Sequence, residues 1–207
     1  MNAIVFLCGN DRSGKTTTLR SFFNGQKAST LGKLTFFEDT INGKKIYVVG
    51  LDSPQENKEI EQCEKEEDKI PKIEANIQKR IDICIGKANG QSYVLIVPIS
   101  INQEGRGKGK PLNKKCVLEP IEHFERKGFS VFSFCLKKIN AQDKAEKEDL
   151  LTQIASRTVD SETVETENKE KRNYIKSSEL REFIEKRVIP KMQPQNTPHR
   201  LETNFSA

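Results

Sequence analysis

Gly9-Asn10-Asp11-Arg12-Ser13-Gly14-Lys15-Thr16 is the stretch of this sequence that decides its fold. It matches the pattern G-x4-G-K-[ST] in full, and it follows an apolar run at residues 3–8 that is typical of a buried strand. A helical spacing of apolar residues begins at Thr16, so the stretch is predicted to be a loop between a strand and a helix. Such a loop turns its backbone N–H groups toward a phosphate, and the start of the helix adds a positive partial charge.

Two side chains of this loop carry the chemistry of a phosphate site. Lys15 is expected to reach the terminal phosphate oxygens of a bound nucleotide, where it neutralises charge during phosphoryl transfer. The hydroxyl group of Thr16 is expected to ligate Mg²⁺. The sequence therefore predicts a site for a nucleoside triphosphate and magnesium.

Strand and helix patterns alternate along the rest of the chain. Short apolar runs predict further buried strands at 46–51, 93–97 and 129–136, with helical patterns between them. The turn signal Asn42-Gly43, together with residues 34–37, indicates a hairpin that ends in the first of these strands. The predicted fold class is therefore α/β with three layers: a mostly parallel sheet of about six strands, one antiparallel edge hairpin, and helices on both faces.

The chain is interpreted as a single domain over residues 1–190, followed by a disordered tail at 191–207. Two segments inside the domain are predicted to be flexible loops. Residues 101–111 are rich in glycine and basic side chains, whereas residues 158–172 offer almost no apolar side chain to bury. A last short strand is expected at Tyr174-Ile175.

Composition excludes several classes of protein. No window holds the roughly 18 apolar residues of a membrane-spanning helix, and the first residues lack the basic segment of a secretory signal. The five cysteines are scattered without a C-x-x-C pair, which favours reduced thiols and a cytoplasmic protein over a disulfide scaffold or a zinc site. The net charge of +5 comes from a mixed surface and does not indicate nucleic-acid binding. The basic residues between 106 and 115 have no interleaved aromatic residue and are interpreted as a solvated loop.

Three polar residues outside the loop are candidate parts of the same site. Asp52 follows a predicted buried strand, and an aspartate there is expected to hold the Mg²⁺ shell opposite Thr16. Gln55 is a candidate for orienting the attacking water, and Thr30 is a candidate for binding Mg²⁺ when the terminal phosphate is present. The alternatives are a cap or turn role for Asp52, an exposed turn position for Gln55, and a loop position without a ligand for Thr30.

These residues resemble a known family. Residues 9–19 look like the phosphate loop of Arf-like small GTPases, and Thr30-Leu31-Gly32 is similar to their switch I. The hairpin followed by Asp52-Ser53-Pro54-Gln55-Glu56 resembles switch II of the wider Ras-like superfamily. The resemblance implies a P-loop NTPase fold, Mg²⁺-dependent GTP binding, and a protein partner at the switch regions, residues 30–40 and 53–70. It also implies that the nucleotide is contacted by the whole loop and the start of its helix: Gly9, Asn10, Asp11, Arg12, Ser13, Gly14, Lys15, Thr16 and Thr17.

The sequence departs from this family at two motifs. Switch II of the family reads D-x-x-G, whereas Pro54 here offers no N–H to the terminal phosphate. The base-reading motif N-K-x-D is replaced by Lys137-Lys138-Ile139-Asn140. Lys138 can still stack along the base, but the Asn140 amide has a single acceptor oxygen where the family has a carboxylate. These departures predict slow hydrolysis and leave the choice between GTP and ATP open. The family's lipidated amphipathic helix has no counterpart here, so no membrane anchor of that kind is expected.

The function predicted from the sequence is Mg²⁺-dependent binding and slow hydrolysis of a nucleoside triphosphate in a small-GTPase-like switch. By the resemblance, the nucleotide is GTP. Lys15 and Gln55 are the residues expected to act in hydrolysis. Two alternatives remain: a nucleotide-binding scaffold with little hydrolysis, and an ATP-dependent small-molecule kinase for which Arg106 is the candidate lid residue.

Overall fold

The computed structural model of the chain covers most of the predicted domain. Its described residues are 2–10, 13–23, 28–31, 34–101, 114–138, 144–166 and 172–192. Within these ranges, no helix has both the length and the apolar character that crossing a membrane requires. Almost all of the predicted tail at 191–207 and of the predicted loop at 101–111, including Arg106, lies outside the described residues.

Seven strands form one sheet within the described residues. They are β1 (Asn2–Gly9), β2 (Ser29–Leu31), β3 (Leu34–Ile41), β4 (Lys44–Val49), β5 (Tyr93–Ser100), β6 (Ser130–Lys138) and β7 (Asp160–Thr166). The order across the sheet is β2-β3-β4-β5-β1-β6-β7. β3 runs antiparallel to both of its neighbours, and the other neighbouring pairs are parallel. The predicted α/β class, with a mostly parallel sheet and an antiparallel edge hairpin, is confirmed, with seven strands in place of about six.

Helices cover both faces of the sheet. They are α1 (Lys15–Phe22), α2 (Lys58–Glu61), α3 (Glu66–Ala88), α4 (Lys114–Arg126), α5 (Lys144–Ser156) and α6 (Arg172–Phe183), the last continued by a π-helical turn (Ile184–Val188). α1 and α6 pack on the face that carries Val5 and Leu7, whereas α3, α4 and α5 pack on the face that carries Phe6 and Cys8. Successive side chains of a strand point to opposite faces, so a strand between two helical layers needs an unbroken apolar run. The strand predicted at Tyr174-Ile175 is wrong, because these residues belong to α6.

The hairpin between β3 and β4 forms at the predicted turn. Asn42 and Gly43 have φ values of 48° and 73°. The type I′ turn, one of the two common two-residue hairpin turns, requires positive φ at both central positions, and asparagine and glycine adopt such values with little strain. The register of the hairpin pairs Phe36 with Val49. Val49 is the last residue of β4, so the hairpin ends there and Asp52 follows shortly after it.

The loop predicted at 158–172 is wrong for much of its length, because it contains β7. Residues 167–171 of that segment lie outside the described residues. β7 is an edge strand parallel to β6, and an edge strand is stabilised by its hydrogen-bond ladder and by side-chain pairs more than by burial. Asp160 and Glu162 of β7 form ion pairs with Arg187, in the π-helical turn after α6. A polar composition is therefore compatible with a strand at this position.

Asp160 connects β7 to the end of α6. Its carboxylate accepts hydrogen bonds from Arg187, with Nε at 3.0 Å, and from Lys191. The bond from Arg187 lowers the pKa of Asp160 from 3.8 to about 2. Because the folded-state pKa is lowered, the stabilisation is present above the unfolded-state pKa and is lost as pH falls through the folded-state value.

We expect Asp160→Asn to lower the free energy of unfolding by about 1 kcal/mol near neutral pH, after allowance for solvent screening of the partly exposed partners. The loss should shrink as pH falls through the range in which wild-type Asp160 takes up its proton. Urea unfolding of both proteins, at neutral pH and at acid pH, measures the difference. Glu165→Gln on the same strand is the control, since it removes a longer ion pair, to Lys137 at 3.7 Å, from a mostly exposed carboxylate. An equal loss in the two variants contradicts the prediction.

Candidate functional site

Residues 9–16, called the glycine loop below, connect the carboxyl end of β1 to α1. β1 lies between β5 and β6, so the loop stands at the edge of the sheet where the parallel strands end. Gly14 precedes α1 with a φ of 95°, a left-handed value that glycine adopts without strain. The first N–H groups of a helix have no acceptor within it, which suits this end of α1 to an anion. Asp11 and Arg12, two of the predicted contacts, lie outside the described residues.

Lys15, the first residue of α1, is buried, with 7% of its surface exposed. Its Nζ donates hydrogen bonds to the carbonyl oxygens of Gly9 and Asn10, both at 2.9 Å. The ammonium group therefore lies against the loop and not in bulk solvent. Burying a charge is costly unless acceptors surround it, so these two carbonyl groups hold a positive charge at the edge of the sheet.

Two further side chains of the glycine loop end in buried polar atoms. Asn10 Oδ1 and Ser13 Oγ have no hydrogen-bond partner among the described residues, although both residues are more than nine-tenths buried. Unpaired polar atoms are rare in protein interiors, and a ligand is one common explanation. A Cβ atom at Gly9 would collide with Ser13 Oγ and crowd the Cβ atoms of Ser13 and Leu136, so a larger residue there would displace these side chains. The Ser13 hydroxyl and the Lys15 ammonium group are donors of the kind that bind phosphate oxygens, and these two groups fit a phosphate. Asn10 Oδ1 is an acceptor and would need a different partner.

Thr16 and Thr17 occupy the next two positions of α1. Thr16 is half-buried, and Thr17 is exposed. The hydroxyl of Thr16 is an oxygen ligand of the kind that Mg²⁺ prefers, and a magnesium ion bound to nucleotide phosphates needs few protein ligands. Thr16 therefore fits the magnesium role predicted for it.

The other two predicted magnesium ligands lie on different strands. Asp52 follows β4 and is exposed, and β5 stands between β4 and β1. With neighbouring strands about 4.8 Å apart, β4 is roughly 10 Å from β1. Thr30 lies in β2 at the outer edge of the sheet, where it pairs with Thr35 and is exposed. The strand order brings neither residue beside Thr16, so the shared magnesium shell stays a prediction.

Gln55 is buried, and its carboxamide is bound by the protein. It lies in a 3-10 turn (Pro54–Glu56) that packs against the end of β5. Its Nε2 donates to the carbonyl oxygen of Ser100 at 3.2 Å. Its Oε1 accepts hydrogen bonds from the Ser53 hydroxyl and from the Ser100 N–H. Both ends of the carboxamide are thus held, in contrast to the exposed turn position that was the alternative, and Ser53 is a participant that the sequence analysis missed.

Arg80 of α3 holds the backbone around Asp52. Its side chain is buried, and its guanidinium group donates to the carbonyl oxygens of Asp52 at 3.0 Å and of Gly50 at 3.5 Å. It also donates to Asn76 Oδ1 at 3.0 Å. Burial lowers the pKa of Arg80 to about 10, and the charge of Asp52 opposes that shift. Arg80 was not among the residues predicted from the sequence, although its spacing of three residues from Ile77 places it on the apolar stripe of α3.

Of the predicted base-reading residues, Lys138 ends β6 and Asn140 follows it, and β6 lies next to β1. Lys137 forms ion pairs with Glu148 and Glu165. Asn140 and the side chain of Lys138 lie outside the described residues. Their contacts with a base stay predictions, but the strand that leads to them ends beside the glycine loop.

Comparisons with known proteins add little to this description. No family model matches the sequence, and no curated protein matches it. Among solved structures, a futalosine hydrolase mutant of Helicobacter pylori strain 26695 is similar, with 12% sequence identity and a TM-score of 0.25. That likeness covers 87% of this chain and 84% of the other. At such a low TM-score it bears on neither the fold nor the function of this chain.

Proposed function

We propose that this chain binds a nucleoside triphosphate with Mg²⁺ at the glycine loop and hydrolyses it slowly, as a P-loop NTPase similar to the small GTPases. The observation that carries the proposal is the buried ammonium group of Lys15, held by the carbonyl oxygens of Gly9 and Asn10. A positive charge at the end of a central parallel strand and at the start of a helix is arranged for an anion. The match of residues 9–16 to G-x4-G-K-[ST] favours a nucleotide phosphate as that anion.

In the proposed complex, the phosphates lie against the glycine loop. Lys15 exchanges carbonyl acceptors for terminal phosphate oxygens, and the Ser13 hydroxyl donates to a phosphate oxygen. Thr16 is the proposed ligand of Mg²⁺. Asp52 follows a strand two places from β1, and Thr30 lies on a strand four places from β1, so each would join Thr16 only after the segment that carries it moves toward the glycine loop. When bound, Mg²⁺ supplies neutralising charge at the phosphates.

GTP is the proposed nucleotide because of the resemblance of residues 9–19 to the phosphate loop of Arf-like GTPases. Lys138 and Asn140 are the proposed base contacts. A lysine stem can cover one face of any base, and a carboxamide both donates and accepts hydrogen bonds. Preference for guanine over adenine is therefore expected to be modest.

Hydrolysis is proposed to be slow because Gln55 is already engaged. Its carboxamide donates to the Ser100 carbonyl oxygen and accepts from Ser53. A water molecule that attacks the terminal phosphoryl group must be held in line with the leaving oxygen. Gln55 can hold that water only after its present hydrogen bonds are broken, which raises the barrier.

The same hydrogen bonds favour a second candidate function, a nucleotide-binding scaffold that hardly hydrolyses. In that case a protein partner binds residues 30–40 and 53–70 of the nucleotide-bound protein. A single-turnover assay separates the two functions. A switch converts its bound GTP to GDP and phosphate without a partner, whereas a scaffold keeps the triphosphate intact over the same time.

Titration with fluorescent GTP and fluorescent ATP tests the proposed function. We expect saturable GTP binding that unlabelled GTP displaces and that weakens by about tenfold when Mg²⁺ is removed with EDTA, because the phosphates then lack a neutralising cation. Equal binding of ATP would retain the phosphate site and remove the assignment of guanine. If neither nucleotide binds, the proposed function is wrong.

A further inference from the structure

We propose that Ser53 and Gln55 form a latch that fixes the position of the glycine loop through Ser100, which makes Gln55 a positioning residue and not the group that orients water. The proposal rests on the proposed nucleotide site, because the loop that the latch positions is that site. It comes from the buried hydrogen-bond network that engages both ends of the Gln55 carboxamide. Below, the latch means the side chains of Ser53 and Gln55 with the backbone of Ser100.

On the β4 side, the latch binds β5 beyond the last residue pair of the β4–β5 ladder. Among the described residues, the ladder between β4 and β5 ends at the pair Val48 and Ile96. Further along β5, the Ser100 N–H donates to Ser53 Oγ at 2.8 Å, and the Ser100 carbonyl oxygen accepts from Gln55 Nε2 at 3.2 Å. Ser53 and Gln55 are 3% and 7% exposed, so bulk water competes little for these bonds. The side chains of Ser53 and Gln55 thus form the hydrogen bonds with Ser100 that the backbone of β4 forms with the earlier part of β5.

On the β1 side, the end of β5 is bonded directly to the glycine loop. Ser100 is the register partner of Gly9. The N–H of Ile101 donates to the Gly9 carbonyl oxygen at 3.2 Å, and the same oxygen accepts from Lys15 Nζ at 2.9 Å. A displacement of Ser100 therefore moves one of the two carbonyl groups that place the Lys15 ammonium group. This route joins Gln55 to Lys15 through protein groups alone.

The latch role and the water-orienting role compete for the same atoms. To hold a water molecule, Gln55 must release its Nε2 from Ser100 or its Oε1 from Ser53. Release leaves buried backbone or hydroxyl groups unpaired, which is unfavourable. The latched arrangement is therefore expected to support nucleotide affinity, since it keeps the loop in one conformation before the nucleotide arrives.

Amide hydrogen exchange of the nucleotide-free protein, measured by NMR, tests the latch without any ligand. We expect Ser53→Ala and Gln55→Leu each to accelerate exchange of the Ser100 and Ile101 amides by about tenfold, because the end of β5 opens more often. Ser133→Ala is the matched control: Ser133 is a fully buried serine on β6 whose hydroxyl bonds across to β7, away from β5. Faster exchange at Ser100 with no change at Ile101 would overturn the proposal, since the effect would then stop before the glycine loop.

The affinity for GTP separates a latch from a water-orienting glutamine. With a latch, Ser53→Ala and Gln55→Leu each raise the Kd for GTP by about five- to tenfold. The double variant raises the Kd little further, because each single change already disrupts the same hydrogen-bond network. A residue that merely stabilises the fold would lower the melting temperature and leave the Kd unchanged, and that result overturns the proposal. So does a lower single-turnover rate at saturating GTP with the wild-type Kd, which identifies Gln55 as a water-orienting residue. If the wild-type protein binds no nucleotide, the proposed function is wrong, but amide exchange of the nucleotide-free protein still tests whether the latch positions the glycine loop.

Discussion

Lys15→Ala is expected to weaken the binding of GTP by roughly a hundredfold or more. The change removes the buried ammonium group that Gly9 and Asn10 hold at the glycine loop. Hydrogen bonds to charged groups contribute about 1.5–3 kcal/mol each, and a hundredfold loss of affinity corresponds to about 2.8 kcal/mol. Titration with fluorescent GTP in the presence of Mg²⁺ measures the change.

Arg20→Ala is the matched control for this variant. Arg20 is exposed, lies on α1 with Lys15, and carries the same charge, so its removal changes the net charge equally. We expect Arg20→Ala to change the Kd by less than about twofold, because exposed charges are screened by solvent and salt. Thermal unfolding of Lys15→Ala verifies that the variant is folded. If Lys15→Ala and Arg20→Ala bind GTP equally well, the glycine loop is not the nucleotide site.

Arg80→Met is expected to lower the free energy of unfolding by about 2–4 kcal/mol. Methionine keeps an apolar stem of similar length, but the carbonyl groups of Gly50 and Asp52 lose the donor that reaches them in the protein interior. Each unsatisfied buried acceptor costs about 1–3 kcal/mol, and removal of the buried charge returns part of that loss. Urea unfolding at neutral pH measures the difference.

Lys79→Met provides the comparison for Arg80→Met. Lys79 is the preceding residue of α3 and is exposed, so its replacement alters charge and helix propensity in the same way without touching the buried carbonyl groups. We expect a change within about 0.5 kcal/mol for this control. Equal stability of the two variants would mean that the guanidinium group contributes no net stability to the backbone around Asp52.

The fold class and the glycine loop could be predicted because local patterns carry them. Residues 3–8 form an unbroken apolar run, which is the signature of a strand buried on both faces. Asn42-Gly43 marks the hairpin through the positive φ values that the turn needs. The spacing of Gly9, Gly14 and Lys15 marks the loop in the same way. Each signal extends over a few neighbouring residues, so the sequence around it is sufficient.

β7 and the partners of Gln55 could not be predicted in this way. The strand is polar, and it is stabilised by pairing with β6 and by Arg187, which is distant in sequence. Gln55 is followed by a charged helix, and nothing near it indicates that its carboxamide meets Ser100. Arg80 differs, since a charged residue at the spacing of an apolar stripe is a usable local signal.

The sequence by itself determined that a glycine-rich loop with a lysine stands between a buried strand and a helix, within an α/β chain that carries one hairpin. Only the tertiary structure decided which strands are neighbours. β5 lies between β4 and β1, and this order sets Asp52 two strands from the strand that leads to Thr16 and puts Gln55 against Ser100. The physical reason is that strand order is set by long-range pairing and by helix packing on both faces, whereas local patterns are set by the backbone and its nearest side chains. Each strand inserted between two others moves their side chains about 5 Å further apart. The local sequence pattern of either strand is the same with and without the insertion.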